Sequence, residues 1–322
     1  MDEPVFADVV HARERIAPWA HRTPVLTSSS IDRLAGASVL FKAEPFQRTG
    51  SFKFRGATNA VLSLSDAERA RGVVTHSSGN HAQALALAAR LAEVCATIVM
   101  PEDALPAKRR ATEGYGATVV LCAPTLAARE ETAARVLQET RGTLIHPHDD
   151  PRVIAGQGTA AAELIEEAGP FDLLLAPVGG GGLLSGTAIA AAALLPLARV
   201  VGCEPAGADD AYRSLHSGVR VTEHVPRTVA DGLRTTLGEI GFHVIRRLVS
   251  DIVLVSEEEI LEAMRLVWER MKVVIEPSAA VAVAPLLKGS LSVRGCRVGV
   301  ILSGGNVDLD GFLPSSRAVR VA

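Results

Sequence analysis

Short β-rich runs alternate with amphipathic helical windows from about residue 38 onward, and no other sequence feature narrows the fold so far. The strand-like runs are Ser38–Lys42, Gly72–His76, Ala96–Met100, Ala117–Cys122, Asp172–Pro177, Arg199–Cys203, Asp251–Val255 and Arg297–Leu302. Between them lie helical windows at Asn80–Leu91, Pro106–Gly114, Leu126–Thr140, Val153–Glu167, Gly182–Leu195 and Glu257–Met271. Ser65 with Glu68, and Ser256 with Glu259, have capping-box spacing. Such alternation predicts an α/β fold whose parallel sheets carry helices on both faces. At 322 residues the chain exceeds one simple core and is expected to form two lobes. The loops near residues 70 and 150 divide it into a large lobe, 1–71 and 150–322, and a small mobile one, 72–149. A composition of 48% hydrophobic residues, rich in Ala, Val and Leu, suits helices packed on buried parallel strands.

Several classes are argued against. Net charge is −3 with no basic run, so nucleic acid is not an expected partner. The most apolar stretch, Thr187 to Val201, is interrupted by Pro196 and Arg199 and is too short to span a bilayer, so no membrane is expected either. The acidic start, Met1-Asp2-Glu3-Pro4-Val5, does not read as a secretion signal. Cys95, Cys122, Cys203 and Cys296 lack the spacing of a zinc site or disulfide framework. Each is expected in a core as a small hydrophobe, in a reducing cytoplasm.

Four segments carry chemistry. Lys53 stands between Phe52 and Phe54, just after a Thr-Gly-Ser turn that reads as a helix start. Aromatic flanks predict a partly dry amine, which loses its proton more easily and can add to a carbonyl. Second, Gly179-Gly180-Gly181-Gly182 lies between an apolar strand and an apolar helix, where backbone N–H groups can converge on a phosphate. Which phosphate stays open here. The glycine spacing departs from the dinucleotide fingerprint, although Glu204 ends the next strand where a ribose-binding acid would sit, so a nicotinamide or flavin enzyme remains an alternative. No Gly-Lys-Ser/Thr follows, which excludes a Walker loop. Third, Ser303-Gly304-Gly305-Asn306 follows the last strand, where Ser303 can donate to a pyridine nitrogen without protonating it. Fourth, Ser77-Ser78-Gly79-Asn80-His81 crowds polar groups around a helix start, an arrangement suited to a carboxylate.

Taken together with Thr23-Pro24, Ala155-Gly156-Gln157-Gly158-Thr159 and Ala230-Asp231-Gly232, these segments resemble the fold-type-II pyridoxal-phosphate enzymes. The serine racemase and serine/threonine dehydratase group, which includes threo-3-hydroxyaspartate dehydratases, is the one they most resemble. The resemblance implies that Lys53 holds the cofactor and that Phe52 and Asn80 contact its ring. It assigns the phosphate to Gly179, Gly180, Gly181, Gly182 and Leu183, adds Gly232 to the cofactor contacts, and sets Ser303 against the ring nitrogen. Ser77, Ser78, Asn80 and His81 are implied to bind the substrate, with Ser78 the acid/base on the face opposite Lys53. Implied too are β-elimination from serine, threonine or 3-hydroxyaspartate with an accompanying racemase activity, a small amino-acid substrate and a homodimer; a racemase as the main activity and a non-catalytic sensor on the same fold are the alternatives.

Glu204-Pro205-Ala206-Gly207-Ala208-Asp209-Asp210 resembles the divalent-cation loop of serine racemases. By that likeness Glu204, Asp210 and the Ala208 carbonyl would hold Mg²⁺, Ca²⁺ or Mn²⁺, hard ions suited to oxygen ligands. Glu276-Pro277-Ser278 resembles the racemase form of its segment. No carboxy-terminal regulatory domain is expected. His146-Pro147-His148 reads as a lobe-boundary loop, and His216, His224 and His243 as surface or helix-end residues. Glu257-Glu258-Glu259 reads as a first helical turn facing water.

Overall fold

The computed structural model of the protein describes residues 3–309, apart from 105, 288 and 290. In chain order its strands are β1 (Val25–Thr27), β2 (Ser38–Ala43), β3 (Val73–His76), β4 (Ala96–Pro101), β5 (Thr118–Cys122), β6 (Thr143–Leu144), β7 (Leu173–Pro177), β8 (Arg199–Pro205), β9 (Asp251–Val255) and β10 (Arg297–Leu302). They form two sheets. The larger runs β1-β2-β10-β7-β8-β9 and is parallel except where β1 meets β2. The smaller, β5-β4-β3-β6, is parallel throughout. Every strand and helix expected from the sequence is present; β1 and β6 are additional, and are too short to show a period.

Successive residues of a strand point to opposite faces, and here both faces are buried. Val298, Val300 and Leu302 of β10 join one apolar layer with Leu173, Leu175 and Val201, whereas Ile301 joins the other with Leu174, Ala176 and Val200. That double burial explains why these strands read as continuous apolar runs. Both capping boxes form, at Ser65/Glu68 and Ser256/Glu259. Among the described residues no helix is long and apolar enough to cross a membrane.

Three expectations need correction. Cys122 and Cys203 are buried, but Cys95 is exposed and Cys296 half-buried, because both lie in turns leading into strands rather than within them. Glu257 does not simply face water: it is half-buried and accepts the Val229 N–H at 2.6 Å. His224 lines a cavity rather than lying on open surface.

The helix Lys53–Leu62 packs on Pro151–Ala168, which in turn packs on Gly182–Leu194. These contacts are backbone to backbone. A Cβ on Gly156 would lie 2.5 Å from the Gly56 Cα, and one on Gly186 would lie 2.5 Å from the Gly158 nitrogen. Only glycine permits that approach.

A buried ion cluster fixes the same helix from the other side. Arg55 is fully buried and donates to both carboxylate oxygens of Glu44 (2.8 and 2.9 Å) and to both of Glu163 (2.7 and 2.9 Å). Lys42, equally buried, reaches Glu163 at 2.7 Å and the Thr23 carbonyl at 2.6 Å, while the Thr23 hydroxyl donates to Glu44 at 2.6 Å. The cluster holds two cations and two anions, so it is neutral overall. Replacing Arg55 with Met should leave the two acids with Lys42 alone, and loss of one partner from a buried pair is expected to cost about 3–5 kcal/mol. Urea denaturation checks this, with Arg55→Lys expected to be intermediate because it keeps the charge but loses the paired hydrogen bonds. A midpoint equal to wild type for Arg55→Met would contradict the assignment.

Candidate active site

Strands β3, β7 and β10 all end at one cavity of ≈ 370 Å³. Crevices beyond the carboxyl ends of parallel strands are where α/β folds bind ligands. Phe52, Lys53, Ser77, Ser78, Asn80, His81, Gly179, Gly180, Gly181, Gly182, Leu183, Gly232 and Ser303 line it, so the structure brings together every cofactor and substrate residue named from the sequence.

Lys53 opens the helix Lys53–Leu62, and its Nζ donates to the Pro147 carbonyl at 2.8 Å with the Phe52 ring centroid at 5.2 Å. Burial pushes its pKa down to about 8, against a smaller opposing pull from Glu276. A neutral, nucleophilic amine is therefore within reach near physiological pH. Ser51 bridges Gly304, and the Phe52 N–H donates to the Ser303 carbonyl at 3.0 Å, which ties the lysine turn to the end of β10.

Asn80–Leu91 and Gly182–Leu194 both begin at the cavity without a side-chain cap. Asn80–Leu91 starts after Gly79, and Gly182–Leu194 after Gly181, whose φ of 88° lies in the left-handed region where glycine is favoured. Their first N–H groups and positive dipole ends are available to anions. The glycines of the second turn also make room: a Cβ on Gly180 would lie 2.2 Å from the His148 ring.

The charge pattern around Lys53 was not legible beforehand. His76, His81, His146 and His148 all line the cavity, and burial lowers the pKa of each, that of His146 to about 4. The wall is therefore of neutral imidazoles. His146 Nδ1 accepts the Asp149 N–H at 2.8 Å, which leaves its proton on Nε2. His148 is thus part of the site, not a plain loop residue. Lys108 pairs with Asp231 across the mouth. Glu276 was singled out only as a family-like segment, yet it is buried against the cavity with its pKa raised to about 7, first by burial and then by Asp231.

Glu204 and Asp210 lie apart from this cavity, at the end of β8 and the start of the next helix. Both are buried. Glu204 accepts the N–H groups of Ala211 (2.9 Å) and Tyr212 (2.8 Å); Asp210 Oδ2 accepts that of Leu237 (2.7 Å), and its Oδ1 has no partner. Burial raises Glu204 to about 9, with further help from Asp210, and raises Asp210 to about 6. Ala208 is buried beside them in a 3-10 turn. No group of three His, Cys, Asp or Glu side chains suited to a metal occurs among the described residues, so any ion here would need backbone oxygen or water as well.

Comparison with known proteins adds a chemical class. A family model described as "Pyridoxal-phosphate dependent enzyme" matches residues 16–304. The chain is 48% identical over 307 residues to a beta-hydroxyaspartate dehydratase of Paracoccus denitrificans, covering 95% of this chain and 98% of that one. A crystal structure of serine racemase from Dictyostelium discoideum superposes with a TM-score of 0.90 at 50% identity, covering 95% of this chain and 99% of the other. A structure of maize serine racemase gives a TM-score of 0.94 at 41% identity, covering 97% of this chain and 96% of the other.

The residues present fit a phosphorylated aldehyde: a dry lysine amine, a glycine cradle at an uncapped helix start, and a neutral hydroxyl at Ser303. In cofactor-free protein the Lys53 amine should half-react with an acylating reagent near pH 8, against about 10.4 for an unburied lysine. Peptide-resolved mass spectrometry across a pH series checks this. A midpoint at the ordinary lysine value would contradict the dry setting.

Proposed function

The chain belongs to the pyridoxal-phosphate dependent enzyme family, and on that premise we propose that it eliminates water from a 3-hydroxy-2-amino acid. Serine, threonine and 3-hydroxyaspartate are the candidate substrates; the enamine left by loss of water takes water up again on hydrolysis to give a 2-oxo acid and ammonia, and racemisation is a companion activity. The supporting observation is the single cavity shared by the Lys53 amine, the Gly179–Gly182 turn and the uncapped start of Asn80–Leu91.

Bound in this cavity, pyridoxal phosphate supplies a conjugated ring that withdraws electrons from the α carbon of an amino acid. Lys53 would hold it through its amine, and that amine, when free, would take the α proton at Nζ. An amine titrating at about 8 is close to the pH at which it must act, as efficient general bases are. The N–H groups at the start of Asn80–Leu91, with Ser77, orient the substrate carboxylate. Ser303 carries no charge, so it can hydrogen-bond a ring nitrogen without protonating it; a weaker electron sink favours prompt loss of the 3-hydroxyl. Ser78 holds or delivers a proton on the face opposite Lys53, which is the step racemisation requires.

A dinucleotide enzyme would need Glu204 free to take a ribose hydroxyl. Glu204 is instead fully buried and lies outside the cavity that Gly179–Gly182 line. We assign Glu204, Asp210 and the Ala208 carbonyl to a divalent cation, supported by two acids buried side by side, whose pKa values are both raised, and by the unpartnered Asp210 Oδ1. The small sheet, with residues 72–149, would form a mobile lobe. A homodimer in the cytoplasm completes the reading.

Purified protein supplied with pyridoxal phosphate should turn yellow, and borohydride should leave the label on Lys53. A panel of L-serine, L-threonine and L-threo-3-hydroxyaspartate, scored for 2-oxo acid and product chirality, then identifies the substrate. Ser78→Ala should lower racemisation by roughly 100-fold or more while L-substrate elimination largely survives. Parallel loss of both would give Ser78 a binding role instead. Magnesium should raise the thermal midpoint of wild type, by about 2.7 kcal/mol of added stability at 100 times its Kd, and Glu204→Gln should remove that response. Wild-type protein indifferent to both chelator and cation would end the metal assignment.

A further inference from the structure

Glu276 is a carboxylate in the wrong place for a purely structural acid. It is 2% exposed, yet makes no ion pair among the described residues: Lys53 donates to Pro147 and Lys108 pairs with Asp231. It occupies the N-cap position before Pro277–Ala280, but its side chain does not cap that helix. It turns to the cavity instead, where Oε1 accepts the Asn80 side-chain N–H at 2.8 Å. The Asn80 carbonyl oxygen in turn accepts from Asn306 at 2.9 Å, and Asn306 also donates to the Thr49 carbonyl at 2.6 Å. The Glu276 backbone N–H donates to the Gly304 carbonyl at 3.0 Å, next to Ser303. A Cβ on Gly304 would lie 2.7 Å from Glu276 Oε1, so the turn leaves space for this side chain.

Burying an acid with so little compensation is unfavourable. We propose that Glu276 is a positioning residue, which aims the Asn80 amide at the start of Asn80–Leu91 and whose negative charge sets the protonation of Lys53. The inference rests on Lys53 and Asn80 acting as read above. Asn80 is held on both sides of its amide, by Glu276 and by Asn306, so it has one orientation toward the cavity. The charge acts through space. The groups lining the cavity with the Lys53–Glu276 pair are the imidazoles of His76, His81, His146 and His148, all held neutral, the Lys108–Asp231 pair, Arg129, Glu130, His224, and Arg234, which donates to the Thr228 carbonyl. Glu276 is thus a buried acid without an ion-pair partner among the described residues, and it acts on the amine across the cavity. Its presence favours the ammonium form of Lys53, and Lys53 reciprocally favours the carboxylate.

The test uses cofactor-free protein and no substrate, so its failure is distinct from failure of the functional reading, which the borohydride label decides. The Lys53 acylation midpoint is measured by peptide mass spectrometry in wild type, Glu276→Gln and Glu276→Asp. Gln keeps the shape and loses the charge, and should move the midpoint down by roughly 0.5–1 pH unit. Asp keeps the charge, and should stay near wild type although its contact with Asn80 is lost. Unchanged midpoints in both variants, or equal shifts in both, would overturn the proposal, the second by showing a structural disturbance rather than a charge effect. A reciprocal measurement does not need either variant to fold. In Lys53→Met the carboxyl infrared band attributable to a buried acid should titrate at higher pH than in wild type, and a titration that does not move would equally overturn it.

Discussion

Arg55 is the anchor on which the rest of the site depends. A guanidinium with no exposure is tolerable only because Glu44 and Glu163 each meet it with two oxygens. Those acids come from the turn after β2 and from the helix Pro151–Ala168. Two other parts of the chain are thereby locked to the helix that Lys53 begins, two residues before Arg55. The neutrality of the cluster matters as much as its geometry. Lys42 balances the second acid, so the cluster adds no net charge near the amine.

Above that base the cavity is governed by dryness. Removing water lowers the pKa of Lys53, raises that of Glu276, and keeps the surrounding histidines uncharged. The same dryness strengthens the two exposed helix starts as anion sites, because their partial charges act in a low dielectric. One physical condition thus gives the amine its nucleophilicity and the carboxylate and phosphate their places. Of the cations lining the cavity, Lys108 is paired with Asp231.

Local chemistry was legible in the sequence where it rests on neighbours in the chain. The parallel strands showed as apolar runs, the capping boxes as Ser-x-x-Glu, and the phosphate turn as a glycine run between strand and helix. Glu276 and His148 were not legible as site residues, because each is placed by contacts with segments remote in sequence. Nothing local to Glu276-Pro277-Ser278 predicts an Asn80 side chain 2.8 Å away. The Arg55 cluster escaped notice for the same reason: a lone arginine in an amphipathic helix reads as a surface charge until Glu44 and Glu163 are seen around it. Cys95 failed in the opposite direction, since a turn residue can be apolar in type and still exposed.

The glycine contacts between the three central helices have a consequence for evolvability. Where two backbones touch, the spacing is set by atomic radii, and no rotamer change can relax it. The Lys53 end and the Gly179–Gly182 end of the site are therefore held apart by a ruler that side-chain drift elsewhere does not lengthen or shorten. Sequence change in this chain is free to remodel the wall contributed by the smaller sheet, where contacts run through side chains such as Asn80, His81 and Lys108. A fold built in this way can exchange one amino-acid substrate for another while the reacting centre stays in register.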